Sequence, residues 1–459
     1  MVEAEVRPAE EDEDSVVTPE LVETVAEALA AGEQPRVRAL TEDLHQADLA
    51  DLIELLPSED RVRLITLLGR SFDVEALPEL DEGVRDELME ALPNEVIASA
   101  LGRLDTDDAL YLIEDMDAED QQEILADVPR EERAALSRAL HYDENTAGRL
   151  MQTEFVAVPE FWTVGQTIDY MRTERDLPEN FVEVYVVDHA YHLKGVVPLS
   201  RILRSPRERR ILDIMEAEQT VFEVADEQED VAYKFEQYNL VSAAVTDEEG
   251  RLVGMLMVDD IVDVIQEEAE EDILRLGGVG DEEITDTVWS TLRSRIVWLA
   301  VNLCAAILAS RVIALFDATI QQMVALAVLM PIVASMGGNA ATQTMTVTVR
   351  ALATRSIGPV NAMRVVWREC AVGLLNGFTF ACALGLFAWW LFESDKLGLT
   401  IAAAMVINFF AAALGGILVP LTLERLKADP AVASAVFVTT ITDVVGFFAF
   451  LGLATLWLV

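Results

Sequence analysis

Residues 431–459 read AVASAVFVTTITDVVGFFAFLGLATLWLV, and the single acid in that run is Asp443. A helix needs about 20 apolar residues to cross a bilayer core of roughly 30 Å. The run is long enough, holds no base, and carries its one carboxylate near the middle. Four runs of similar character precede it, at 296–316, 322–349, 365–392 and 397–423. Five membrane-spanning helices are therefore predicted. A soluble bundle would need polar outer faces that these runs lack. Loop charge orients them. Arg293, Arg295, Arg350, Arg355, Arg364, Arg368, Arg425 and Lys427 lie on one side, against Arg311 and Lys396 on the other. Basic ends stay in the cytoplasm, so the N-terminal half is expected in the cytoplasm and the C-terminus outside the cell membrane.

Charge divides the chain in the same place. The 459 residues hold 81 acids and 33 bases, a net charge of -48. From Trp289 onward there are seven acids and ten bases, so the first 288 residues hold 74 acids and 23 bases. Such a surface repels phosphates, which excludes a general nucleic-acid binder. The three cysteines (Cys304, Cys370, Cys382) all lie in the apolar half without a CxxC pair, which supports neither a disulfide framework nor a cysteine zinc site. The N-terminus lacks the basic-then-apolar pattern of a signal peptide.

The soluble half is modular. Residues 1–16 form an acidic tail, centred on Glu10-Glu11-Asp12-Glu13-Asp14, that is expected to be disordered. Residues 17–140 read as short amphipathic helices in a superhelix, punctuated by Leu56-Pro57, Leu77-Pro78 and Leu92-Pro93, each Pro followed by residues suited to capping the next helix. Residues 141–258 contain a repeat. Val186-Val187-Asp188 with Leu193 and Gly195 returns 59 residues later as Val245-Thr246-Asp247 with Leu252 and Gly254, and Leu150-Met151 returns as Ile214-Met215. Each copy reads as strand, helix, strand, turn, strand, helix. Residues 259–280 form an acidic helix closed by Gly277-Gly278-Val279-Gly280, and Arg275 alone offers its acids a basic partner four residues away, at Glu271. Residues 281–459 are the membrane part.

Two features of the spans carry chemistry. A carboxylate deep in a bilayer costs about 2.5–3.5 kcal/mol even on the mild insertion scale, so Asp443 is expected to face a cavity or a partner. No arginine on another span is placed to neutralise it, which favours a cation path over a structural ion pair. The second run contains Pro331 and Gly337-Gly338, where the backbone has freedom to unwind beside a cavity. It also carries Asn339, Thr342 and Thr346, three and four residues apart and so on one helix face.

Pro331 to Ala353, ending Val349-Arg350-Ala351-Leu352-Ala353, together with Thr442-Asp443-Val444 and Gly446, resembles the signature of the MgtE magnesium transporter family. The order of parts is similar too: helical N-domain, tandem CBS pair with a lead-in at 141–151, acidic connecting ("plug") helix, five-helix transmembrane domain. The resemblance implies a multi-domain α plus α/β protein and a homodimer whose pore lies on the two-fold axis. It implies that Asp443 holds hydrated Mg²⁺ in the pore, helped by Asn339 and a backbone carbonyl at Thr439. It also implies a cytosolic Mg²⁺ sensor at Glu75, Asp107, Glu229, Asp260, Glu268, Glu271, Asp272 and Asp429. Tyr111 and Asn239 stand where the family pattern has acids, and Glu236 where it has a carbonyl donor. CBS pairs often bind adenine nucleotides, which leaves room for ATP or a similar regulator.

The expected function is a Mg²⁺ channel closed by cytosolic Mg²⁺. A transporter of Co²⁺ or Mn²⁺ and a membrane-anchored CBS nucleotide sensor are the alternatives. An enzyme is not expected, since the four histidines form no ligand pair on the spans and there is no P-loop. Four lysines against 29 arginines, with so many acids, also resemble the proteins of salt-accumulating halophiles. Molar salt shortens the Debye length to about 3 Å and permits dense like charge.

Overall fold

Leucine and isoleucine recurring at helical spacing build the N-terminal part of the computed structural model, which describes residues 16–114, 116–175, 177–178, 180–279, 288–358 and 360–458. The acidic tail up to residue 15 lies outside the described residues. Two compact units emerge, Met1–Ile265 and Gln266–Val459.

In the first unit, short helices from Pro19–Ala31 to Arg130–Ala139 bury Leu52, Ile53, Leu64, Leu88, Leu101 and Ile113 in one core. Thr18 caps the first helix, and Gly32 ends it in the left-handed region at φ 69°. The Leu-Pro pairs divide in behaviour. Pro57 and Pro93 stand immediately before helices Ser58–Leu68 and Asn94–Leu101, which begin without a side-chain cap. Pro78 instead lies in a turn that follows the short 3₁₀ turn Val74–Ala76, four residues ahead of Glu82–Ala91.

The repeat forms two three-stranded sheets. Strands β1 (Ala157–Pro159), β2 (Glu183–Val187) and β3 (Leu193–Pro198) make one, and β4 (Val221–Glu223), β5 (Ser242–Thr246) and β6 (Leu252–Met257) the other. In each, the first pair is parallel and the second antiparallel. The lead-in of each copy crosses to the hairpin of the other. Gln152 bridges to Met255, and Glu216 bridges to Val196. A methyl group at Gly254 would lie 2.5 Å from Met151 Sδ, and one at Gly195 would collide with the Glu216 carbonyl oxygen. The repeated Gly and Met therefore mark one reciprocal contact.

The acidic helix runs Val258–Leu276, and its first turns belong to the first unit. It closes as its glycines suggest. Gly278 has φ +72°, and the Val279 N–H donates to the Leu274 carbonyl at 3.1 Å. Gly280 lies outside the described residues.

Among the described residues, five helices are long and apolar enough to cross a membrane. They span Val288–Ala314, Ala325–Ala353, Ala362–Phe392, Asp395–Arg425 and Pro430–Trp457. The predicted ends of the first two need correcting. The first helix stops at Ala314, and a separate helix Asp317–Gln322 precedes the second, because Asp317 starts a new turn and accepts from Gln321 at 2.8 Å. The fourth helix is the most enclosed, with Ile401, Ala404, Ala412 and Ile417 inaccessible, whereas the first leaves most of its surface open.

The second helix is unbroken through Gly337-Gly338, contrary to the expected unwinding. Gly337 serves close approach instead. The fully buried Asn408 of the fourth helix donates Nδ2 to the Val333 carbonyl at 2.9 Å, with its amide against Gly337 and Gly446. A methyl at Gly446 would lie 2.7 Å from that Nδ2. Gly446→Ala should therefore destabilise the membrane part by about 1–3 kcal/mol, the usual overpacking cost. Adding Asn408→Ala should recover much of the loss. Thermal unfolding in detergent checks both; an unshifted melting curve for Gly446→Ala would refute the contact.

Candidate functional site

Asp443 sits half-buried on the fifth membrane helix and makes no hydrogen bond or ion pair among the described residues. Thr439, one turn earlier, is exposed, and its carbonyl accepts the Thr442 hydroxyl at 2.9 Å. Asn339, Thr342 and Thr346 are all exposed on the second helix, so this chain leaves that polar stripe uncovered. Sequence reasoning passed over Glu369, a second acid inside a membrane helix. It differs from Asp443 in being paired, its Oε1 accepting from Arg368 Nη2 at 2.8 Å. With Gln343, Thr344 and Asn376 it lines a small cavity of about 160 Å³.

The sensor candidates fall into two groups. In the first unit, Asp107 on helix Thr106–Tyr111 faces Asp260 at the start of the acidic helix, close enough for the two carboxyls to act on each other's protonation. Gln152 Nε2 donates to Asp260 Oδ2 at 3.3 Å, and Asp107 Oδ1 is buried without a hydrogen-bond partner among the described residues. Burial, with Asp259 and Asp108 nearby, pushes the Asp260 carboxyl up to about 7. Burial and Asp260 hold Asp107 well above the usual range. Asp108 rises to about 6 through burial, with Asp105, Glu75, Glu79 and Asp259 facing it. Glu75 thus belongs to this group while remaining exposed. Asp108, Glu79 and Asp259 were missed by sequence, although two of them directly adjoin predicted residues.

In the second unit, Asp429 lies beside the end of the acidic helix. Its Oδ1 accepts from the Ala431 N–H at 2.7 Å, and its Oδ2 accepts from Arg275 Nη1 at 2.5 Å. Arg275 also pairs with Glu271. Burial, then Asp429 and Glu268, raises Asp272 to about 6. Glu229 is exposed in the first turn of helix Gln228–Tyr238.

The departures at Tyr111 and Asn239 have local causes. Tyr111 presents its ring to the buried Arg85 guanidinium at 4.2 Å, a cation–π contact. Asn239 ends a helix with φ 51°, a left-handed position that asparagine tolerates. Among the described residues no three His, Cys, Asp or Glu side chains converge tightly enough to hold a metal alone.

Residues 44–145 match the MgtE intracellular N domain, 147–208 and 212–267 the CBS domain, and 330–453 the family described as MgtE, divalent cation transporter. The magnesium transporter MgtE of Thermus thermophilus is 32% identical over 451 residues, covering 95% of this chain and 98% of that protein. The chain belongs to the MgtE family. The MgtE of Bacillus subtilis is 26% identical over 437 residues, with 95% and 97% covered. A crystal structure of the soluble part of a magnesium transporter has a TM-score of 0.50 and 28% identity, covering 55% of this chain and 98% of that one. The transporter match within the MgtE family encloses both Asn339 and Asp443, and the CBS matches enclose Gly195 and Gly254.

Proposed function

We propose that the protein is a non-enzymatic, Mg²⁺-gated channel that imports Mg²⁺ across the cell membrane as a homodimer, with a cytoplasmic N-terminus and an external C-terminus. One observation carries the reading: a carboxylate with no hydrogen bond or ion pair among the described residues, Asp443, in the middle of a membrane helix of an MgtE-family chain. Mg²⁺ is a hard cation that dehydrates reluctantly, so one carboxylate per subunit with Asn339, the Thr439 carbonyl and several waters suits it. Such weak, outer-shell binding also lets the ion leave. The uncovered stripe of Asn339, Thr342 and Thr346 supports a second copy or water across the pore, because lipid would leave these groups unsatisfied.

The two acidic groups support gating. Glu75, Asp107 and Asp260, joined by Asp108, hold repelling carboxylates that a cation would quiet, as do Glu268, Glu271, Asp272 and Asp429; Glu229 is a peripheral member. Mg²⁺ closes the pore by binding the closed arrangement more tightly than the open one. ATP or another adenine nucleotide at the CBS pair modulates that balance. The family description, divalent cation transporter, favours a second reading in which Co²⁺ or Mn²⁺ also permeates.

Flux into proteoliposomes with Mg²⁺, Ca²⁺, Mn²⁺ and Co²⁺ in turn, with Mg²⁺ on the sensor side varied, tests the whole reading. Mg²⁺ should permeate and should suppress its own flux as the sensor side fills. Absence of Mg²⁺ flux would remove the channel, and flux indifferent to sensor-side Mg²⁺ would remove the gate. A C-terminal tag in the same vesicles, accessible only from the side of the soluble half, would overturn the orientation.

A further inference from the structure

Three charged groups meet where the acidic helix ends. Arg275 in its last turn pairs with Glu271 one turn earlier, and its Nη1 reaches Asp429 Oδ2 at 2.5 Å. The other Asp429 oxygen caps the fifth membrane helix at Ala431. The three side chains keep only 27–31% of their surface exposed. Beside them Leu276 packs against a cluster containing Ala341, Met345, Val349 and Val438 from the second and fifth membrane helices. One guanidinium thus fastens the acidic helix to the first turn of the helix that carries Asp443, using positive charge supplied by the chain itself.

We propose that Arg275 is a tethered counter-cation of the gate, bridging Glu271 to Asp429 and setting the Mg²⁺ concentration at which the pore closes. The inference rests on the gating reading above. Bringing two carboxylates together needs positive charge between them, and an arginine is always protonated, with a planar fork that can address both at once. Being part of the chain, it acts at a fixed effective concentration that solution Mg²⁺ does not alter. Mg²⁺ then has only the remaining acids, Asp272 and Glu268 among them, to neutralise.

The opposite role, in which Arg275 competes against Mg²⁺ for Asp429, predicts the opposite sign. Arg275→Gln in the full-length protein should raise the sensor-side Mg²⁺ needed for half-closure by about tenfold, the scale of one lost charge-assisted bond. Arg275→Lys, which keeps the charge without the fork, should give a smaller shift in the same direction, and it carries the test if Arg275→Gln does not reach the membrane. Adding Asp429→Asn should cost less in the Arg275→Gln background than in wild type. An unchanged or lowered threshold in a wild-type-gated preparation overturns the proposal alone. Wild-type flux that ignores sensor-side Mg²⁺ overturns the gating reading and this inference with it.

Discussion

Asp443→Ala should cut Mg²⁺ influx about 100-fold or more while the protein still folds. Two unit charges 4 Å apart attract by about 4 kcal/mol at an effective dielectric of 20, and a divalent ion doubles that. Even part of that attraction, lost from the middle of the membrane, is worth two orders of magnitude in ion occupancy. Asp443→Asn should fail nearly as badly, since an amide offers a dipole in place of a charge. Folding should survive because Asp443 makes no hydrogen bond or ion pair among the described residues. Flux and size-exclusion profiles of the same preparation decide the matter. Normal flux through well-folded Asp443→Ala protein would falsify the pore assignment.

The second large effect concerns the acids of the first unit. Without a divalent cation, the compact form holds protons on Asp108 and Asp260 more tightly than the unfolded chain does, since these groups titrate near 6 and 7 instead of near 3.8. Their stabilising contribution is therefore complete in acid below about pH 4 and is lost as pH rises through 7. Cation binding needs the ionised carboxylates, so Mg²⁺ affinity should fall roughly tenfold per pH unit below 7 for each proton displaced. Protease protection of the first unit should thus need Mg²⁺ at pH 8, need less of it at pH 6, where protons already hold part of the compact form, and need none at pH 4.5. Asp107→Asn with Asp260→Asn should stay protected at pH 8 without Mg²⁺, and the ratio of flux at low to high sensor-side Mg²⁺ should approach one. Unchanged Mg²⁺ dependence in that double variant would show that this group does not sense the ion.

Much of the fold could be read from local pattern. The fifth span, the acidic helix and the repeat each declare themselves within a single window of sequence. Helix ends were harder, because the apolar run from residue 296 through 349 is nearly continuous and only short non-helical breaks, at 315–316 and 323–324, divide it. The hairpin turn was plain in the second repeat, where Gly250 adopts φ +77°, but hidden in the first, where Tyr191 takes the same left-handed role at φ 68°. At the candidate site, Asp443 was legible because a lone acid in lipid is conspicuous. Asp108 and Asp259 were not, since in a chain with 81 acids only burial distinguishes one carboxylate from another. Asn408 escaped notice because its importance lies in two glycines on other helices.

The exchange of lead-ins between the two CBS repeats has a consequence for inheritance. Met151 fits against Gly254 and Gly195 fits under Glu216, so each copy's surface is the mould for a segment of the other. A substitution at Gly254 must be accommodated by residues about a hundred positions away in the sister copy. Neither repeat is therefore a unit that recombination can trade by itself. A graft of one copy from a distant relative would bring half of each contact, and the viable exchanges are those that carry 141–258 whole.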